Sequence, residues 1–98
     1  MRVVRVSGAV IDKISNLEFF LKNDLKLSKE AAQKRCDRMR TFLFSLGKEA
    51  DYALCRFQMW QILGYRCAVF EKSWVFAYEV FDDGIIVRDM SHTTVLAN

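Results

Sequence analysis

The sequence predicts an α+β fold of order β-α-α-(short α)-β-β-β, with an antiparallel sheet carrying a helix hairpin on one face. Three observations point to it. The chain begins with an alternating "RVVRV" at 2–6, continues through two stretches with apolar residues at three- and four-residue steps, and ends in three β-branched and aromatic runs after Gly64. One sheet covered by helices on one side buries all of these stripes. At 98 residues the chain has room for one such domain, spanning 1–98, and no second.

The first strand ends at Ser7-Gly8, and a helix follows over 9–22. Its buried stripe is Val10, Ile14, Leu17 and Leu21, with Phe20 on the flank. "KNDLKLS" breaks that period. Ser28 is then placed to cap a second helix, its hydroxyl accepting from a free backbone N–H, and Glu30 suits the positive end of the helix dipole. The second stripe is Ala32, Cys36, Met39, Leu43 and Leu46, and Gly47 is suited to a left-handed C-cap. Residues 48–63 fit a helical turn or a strand, and a short helix is expected there. The remaining strands are "YRCAVF", "SWVFAYEVF" and "GIIVRDM", separated by Lys72-Ser73 and Asp83-Gly84.

Two-residue turns at those places give a definite register. Asp83-Gly84 sets Phe81 opposite Ile86, Glu79 opposite Arg88 and Ala77 opposite Met90; Lys72-Ser73 sets Arg66 opposite Glu79 and Ala68 opposite Ala77. The helix-covered face then carries Trp74, Phe76, Tyr78, Val80, Ile85 and Val87, with Cys67 and Val69. The outward face carries the row Arg66–Glu79–Arg88, the small row Ala68–Ala77–Met90, and Phe70, Val75 and His92. Two cations would flank one carboxylate over a shallow apolar floor. Such a face is either a solvent-side ion ladder or a docking groove for a peptide or nucleic acid.

Composition narrows the classes. The chain is 52% hydrophobic and 28% charged, as a globular domain is, with a net charge of +3. The basic excess lies in the first half, where eleven Lys/Arg face six Asp/Glu, against four and six in residues 51–98. That asymmetry permits an acidic partner, as it does a solvated helix face. No uncharged apolar run approaches the ~20 residues that cross a bilayer, and no signal segment is visible, so a soluble cytoplasmic protein without membrane contact is expected. Cys36, Cys55 and Cys67 are widely spaced, with one His in the chain, so buried free thiols are expected rather than a zinc site. No metal or cofactor is implied.

"LSKEAAQKRCDRMRTFLFSL" followed by "LGYRCAVFEKSWVFAYEVFDDGIIVRDMSH" resembles the RelE/ParE superfamily of toxins from type II toxin–antitoxin modules. Gly64-Tyr65-Arg66 stands where ParE-like members carry "GYR" before the first meander strand. Trp74 to Val80 stands for their aromatic second strand, and Met90-Ser91-His92 for the start of their closing motif. The resemblance covers nearly the whole chain, though its motifs are diffuse. It implies the element order already read, a cognate antitoxin as partner, and a toxin–antitoxin hetero-oligomer. ParE-like toxins (plasmid stabilisation proteins) inhibit DNA gyrase, whereas RelE-like toxins cut mRNA on the ribosome.

The chain departs from both branches. Nuclease members carry an arginine early in the second meander strand, where this chain has Val75, together with a Tyr or His near the end and further cations that offset charge at phosphorus. The closing "G-R-R-D" of ParE-like members is replaced here by Thr93-Thr94-Val95-Leu96. A gyrase inhibitor acting by binding is the expectation; a ribosome-dependent endoribonuclease using His92, and a degenerate antitoxin-binding remnant, stay open beside it.

The candidate target-binding residues are therefore Arg66, Glu79, Arg88 and His92. The candidate partner-binding residues are Ala68, Ala77, Met90, Lys34, Arg38 and Trp60. Lys34 and Arg38 share one helix face at i,i+4, as either solvated surface or a contact for an acidic segment. Trp60, beside Phe57 and Met59, is either core or an exposed anchor.

Overall fold

The structure is a computed structural model that describes residues 3–48 and 54–95. Its elements are β1 (Val3–Val6), α1 (Gly8–Asn23), α2 (Lys29–Ser45), α3 (Gln58–Ile62), β2 (Arg66–Phe70), β3 (Trp74–Val80) and β4 (Gly84–His92). The expected order is thus observed, with the part of the connector at 49–53 outside the described residues. Ser7 has extended backbone and its Oγ accepts from the Val10 N–H, which starts α1 one residue earlier than the apolar stripe alone indicates. Ser28 caps α2 as expected, accepting from the Ala31 N–H at 3.1 Å. That helix ends at Leu46, whose N–H bonds the Leu43 carbonyl.

The sheet order is β1-β4-β3-β2. It is mixed rather than antiparallel, because β1 runs parallel to β4, with Val3 beside Gly84 and Val6 beside Val87. A parallel neighbour requires a long crossover, and the helices and the meander between β1 and β4 supply it. Gly84 eases the close approach at this junction, since a Cβ there would lie 3.3 Å from the Val3 carbonyl oxygen and the neighbouring strand would have to give by a few tenths of an ångström.

On the helix side, Val10, Ile14 and Leu21 of α1 and Ala32, Cys36, Met39 and Leu43 of α2 close over Ala68, Phe70, Phe76, Tyr78, Ile85, Val87 and Met90 of the sheet. Phe42 packs against Phe70 and Phe76 with ring centroids 5.2 and 6.1 Å apart. The opposite side is covered too. Cys55 and Trp60 of the connector pack on Val75 and Ala77, with Phe57, Tyr65 and Cys67 alongside.

Both turn assignments are corrected by the structure. The β2–β3 turn has three residues, Glu71, Lys72 and Ser73, the first two with positive φ (49° and 65°), so Phe70 pairs with Trp74 and Arg66 with Tyr78. This one-residue slip inverts β2, because side chains alternate with period two. Ala68 and Phe70 therefore face the helices, while Cys67 faces the connector and Val69 is half exposed. The β3–β4 turn is Asp82-Asp83, closed by the Phe81 N–H to the Gly84 carbonyl at 2.8 Å. That is a shift of two in register, so Ile85 and Val87 keep the expected helix-facing side.

A β-bulge then changes the second half of β4. Tyr78 pairs with Val87 but Ala77 with Asp89, leaving Arg88 as the extra residue. Past it, Met90 lies opposite Phe76 and His92 opposite Trp74. Both thus turn to the helix side, against the outward placement expected for them.

Candidate functional site

Four positions along one face of α1, Lys13, Asn16, Leu17 and Phe20, stand beside the ends of β3 and β4 and form a groove of about 500 Å³. Its sheet wall is Trp74, Met90, Ser91 and His92, and Val95 borders it. The spacing i, i+3, i+4, i+7 puts those α1 residues in a single stripe. The bulge at Arg88 supplies the other wall, since without it Met90 and His92 would face away.

The groove is built around an aromatic pair. Trp74 and His92 are cross-strand neighbours whose rings meet edge to face, with centroids 5.1 Å apart and planes at 87°. The His92 ring is oriented from behind: its Nδ1 accepts from the Thr94 backbone N–H at 3.2 Å and lies 2.8 Å from the Thr94 hydroxyl. A backbone N–H can only donate, so the neutral ring carries its proton on Nε2. The 92–95 turn behind it is closed by the Val95 N–H to the His92 carbonyl, and the Thr93 N–H ties it to Ser73.

The groove's charge is internally balanced. Lys13 Nζ donates to Asp89 Oδ1 at 2.6 Å and to the Met90 carbonyl at 3.1 Å, while the same Asp89 oxygen accepts from the Met90 N–H. Half of the Lys13 side chain remains exposed, so this pair contributes at most about 1 kcal/mol. Its effect is to pin α1 to the bulged strand.

The structure separates the residues assigned from sequence to one face. Glu79 and Arg88 do meet, with Arg88 Nε donating to Glu79 Oε1 at 2.6 Å. Arg66 is opposite Tyr78 rather than Glu79, so the expected three-residue row is broken. His92 is in the groove on the other side of the sheet. The small row is dismantled as well: Ala68 and Met90 are buried in the helix-side core, and Ala77 is buried beneath the connector. Val75, opposite Ser91, is also under the connector.

Trp60 is 2% exposed, so it is core and not an anchor; the outward apolar residues of its segment are Met59, Ile62 and Leu63. Lys34 and Arg38 line another hollow, between α2 and the β2–β3 turn, lined also by Phe42 and Phe70. Arg38 Nε there donates to Glu71 Oε1 at 3.0 Å. Sequence reasoning missed Lys13, Asn16, Phe20 and Trp74 as site residues. The α1 stripe was visible; what was missing was the strand face opposite it.

The cysteines also differ from expectation. Cys55 and Cys67 form a disulfide, and Cys36 alone is a free, buried thiol. Burial, and then the nearby Glu18 carboxylate, push the Cys36 thiol above its ordinary value. Among the described residues no group of three or more His, Cys, Asp or Glu side chains could hold a metal ion. No described helix is long and apolar enough to cross a membrane.

No protein-family model matches the chain, and no curated protein is found that matches it.

Proposed function

We propose that this protein acts by binding a macromolecule, as a ParE-like toxin that inhibits DNA gyrase and is held in check by a small antitoxin partner. The observation that carries the reading is the groove between α1 and the β3–β4 ends. There Leu17, Phe20, Met90 and the Trp74–His92 pair offer an apolar bed, and Asn16 and Ser91 offer polar groups for orienting a segment laid along it. The resemblance through Gly64-Tyr65-Arg66 and His92 supplies the toxin identity, and the observed element order is compatible with it.

Ribosome-dependent RNA cleavage is the second reading, favoured by one observation: His92 shares its groove with a cation, Lys13. A cleavage site needs an acid or base and a positive group to offset charge building at phosphorus. Lys13 is already matched by Asp89 at 2.6 Å, which is why binding ranks first.

Induced expression in a bacterial host decides among these. The binding reading predicts arrested growth, supercoiling by purified gyrase blocked by purified protein, and loss of both effects in Trp74→Ala and His92→Ala. Arrested growth with gyrase unaffected and transcripts cut in the ribosomal A site would replace it with the nuclease. Normal growth with tight binding to a small neighbouring-gene product would leave only an antitoxin-binding remnant.

A further inference from the structure

We infer that the bond between the His92 ring and the Thr94 backbone makes the groove pH-sensitive: a neutral imidazole keeps the 92–95 turn closed and the groove wall in place, and protonation releases the turn. Its value as regulation rests on the binding role proposed for this groove. The device itself is measured on the chain alone, so its failure and the failure of the binding role are told apart.

The turn is fastened at one ring nitrogen. The Thr94 N–H donates to His92 Nδ1 at 3.2 Å, and the Thr94 hydroxyl lies 2.8 Å from the same atom. The Val95 N–H closes the turn on the His92 carbonyl at 3.0 Å. The strand end beneath is anchored separately, by the Thr93 N–H to the Ser73 carbonyl at 2.8 Å, so an opening of the turn is confined to its far side. The same ring is the groove wall, set edge to face with Trp74, and Val95 borders the same groove. Whatever moves the turn therefore moves the site.

Protonation acts on that nitrogen. Nε2 already carries a proton, so the second one goes to Nδ1, and an imidazolium has donors only. The Thr94 hydroxyl can rotate and accept from the new N–H, whereas a backbone N–H cannot reverse. It would be left 3.2 Å from a group that now donates, unpaired and facing a positive charge. The charges around the ring do not offset this. From α1, Lys13 brings a cation into the groove; from β4, the carboxylate is Asp89, already engaged by Lys13 at 2.6 Å and by the Met90 N–H. β3 presents Trp74. The β2–β3 turn, bonded to Thr93 through the Lys72 carbonyl, carries Lys72 and Glu71, and Arg38 engages the latter. Opening relieves the conflict: the Thr94 N–H turns to water, Val95 goes with it, and the ring is released from Trp74. Histidine is the side chain suited to such a switch near neutral pH.

The test is NMR of the full chain across the titration of the His92 ring, with amide hydrogen exchange expressed as protection factors on either side of it. In the neutral state the ring nitrogen shifts should place the proton on Nε2, and cross-peaks should join the His92 and Trp74 rings. On protonation the Thr94 and Val95 protection factors should fall about fivefold or more, the loss expected from one hydrogen bond, and the ring cross-peaks should weaken, with the α1 amides little changed. His92→Asn, whose side-chain oxygen can accept from the Thr94 N–H without titrating, should keep the turn closed at both pH values. Thr94→Val, which removes the hydroxyl and keeps the N–H, should still respond to acid. Unchanged protection and cross-peaks in the charged state would overturn the inference, as would the same acid response in His92→Asn.

Discussion

The two sides of the sheet are covered by different means. On the helix side, two helices of 16 and 17 residues lay continuous apolar stripes across four strands. On the connector side, a five-residue helix buries one tryptophan over two small side chains, and a disulfide ties the segment down. The contrast follows from the hydrophobic effect: burial scales with area, so a long amphipathic helix holds itself in place and a short loop does not. A 12-residue separation closed by a disulfide restricts the unfolded chain by about 3 kcal/mol in the chain-entropy account, comparable to burying one or two large side chains.

The largest expected effect lies on the helix side. Phe76, at 0% exposure in the middle of that core, should cost about 3–5 kcal/mol when replaced by alanine, read as a drop in the urea midpoint. Trp60→Ala removes a larger side chain yet should cost less, about 2 kcal/mol or below, because it lies over the small Val75 and Ala77 beside the exposed Met59, Ile62 and Leu63, where the site has room to collapse. Equal losses for the two would erase the distinction between the sides. Reversed losses would mean that the connector side, and not the helix side, contributes more to the stability of the fold.

Smaller effects sharpen the same contrast. Glu79→Gln, which breaks the partly exposed pair with Arg88, should change stability by about 0.2–1 kcal/mol and less in high salt. Cys36 gives a pH signature confined to the helix core. Its folded-state value is raised, so its contribution to stability is fully present below the ordinary thiol value of 9.0 and is lost as pH rises through the folded one. Wild type should therefore lose stability faster than Cys36→Ala in alkaline solution, in paired urea titrations. Parallel curves would show that the thiol meets no such environment.

Much of the helix side was legible because it obeys a single period. Val10, Ile14 and Leu21, and Ala32, Cys36, Met39 and Leu43, are buried where their spacing put them, and Ser28 capped its helix. Register was not legible to the same depth, because a sheet's faces invert with every odd residue. One extra residue at Glu71–Ser73 turned β2 over, and one at Arg88 turned the end of β4 over. The second had a trace in the sequence. Arg88 and Asp89 are adjacent charges between apolar Val87 and Met90, and a regular strand cannot send both to solvent. The parallel β1–β4 pairing and the disulfide left no local trace at all, since each joins segments far apart in the chain.

The candidate groove depends on that bulge, for only the extra residue at Arg88 brings His92 round to meet α1. Nuclear Overhauser contacts from the His92 ring and the Met90 methyl measure this side directly. The account predicts cross-peaks from His92 to Trp74 and from Met90 to Phe76. Cross-peaks from either residue to Trp60 or Ala77 in their place would contradict it.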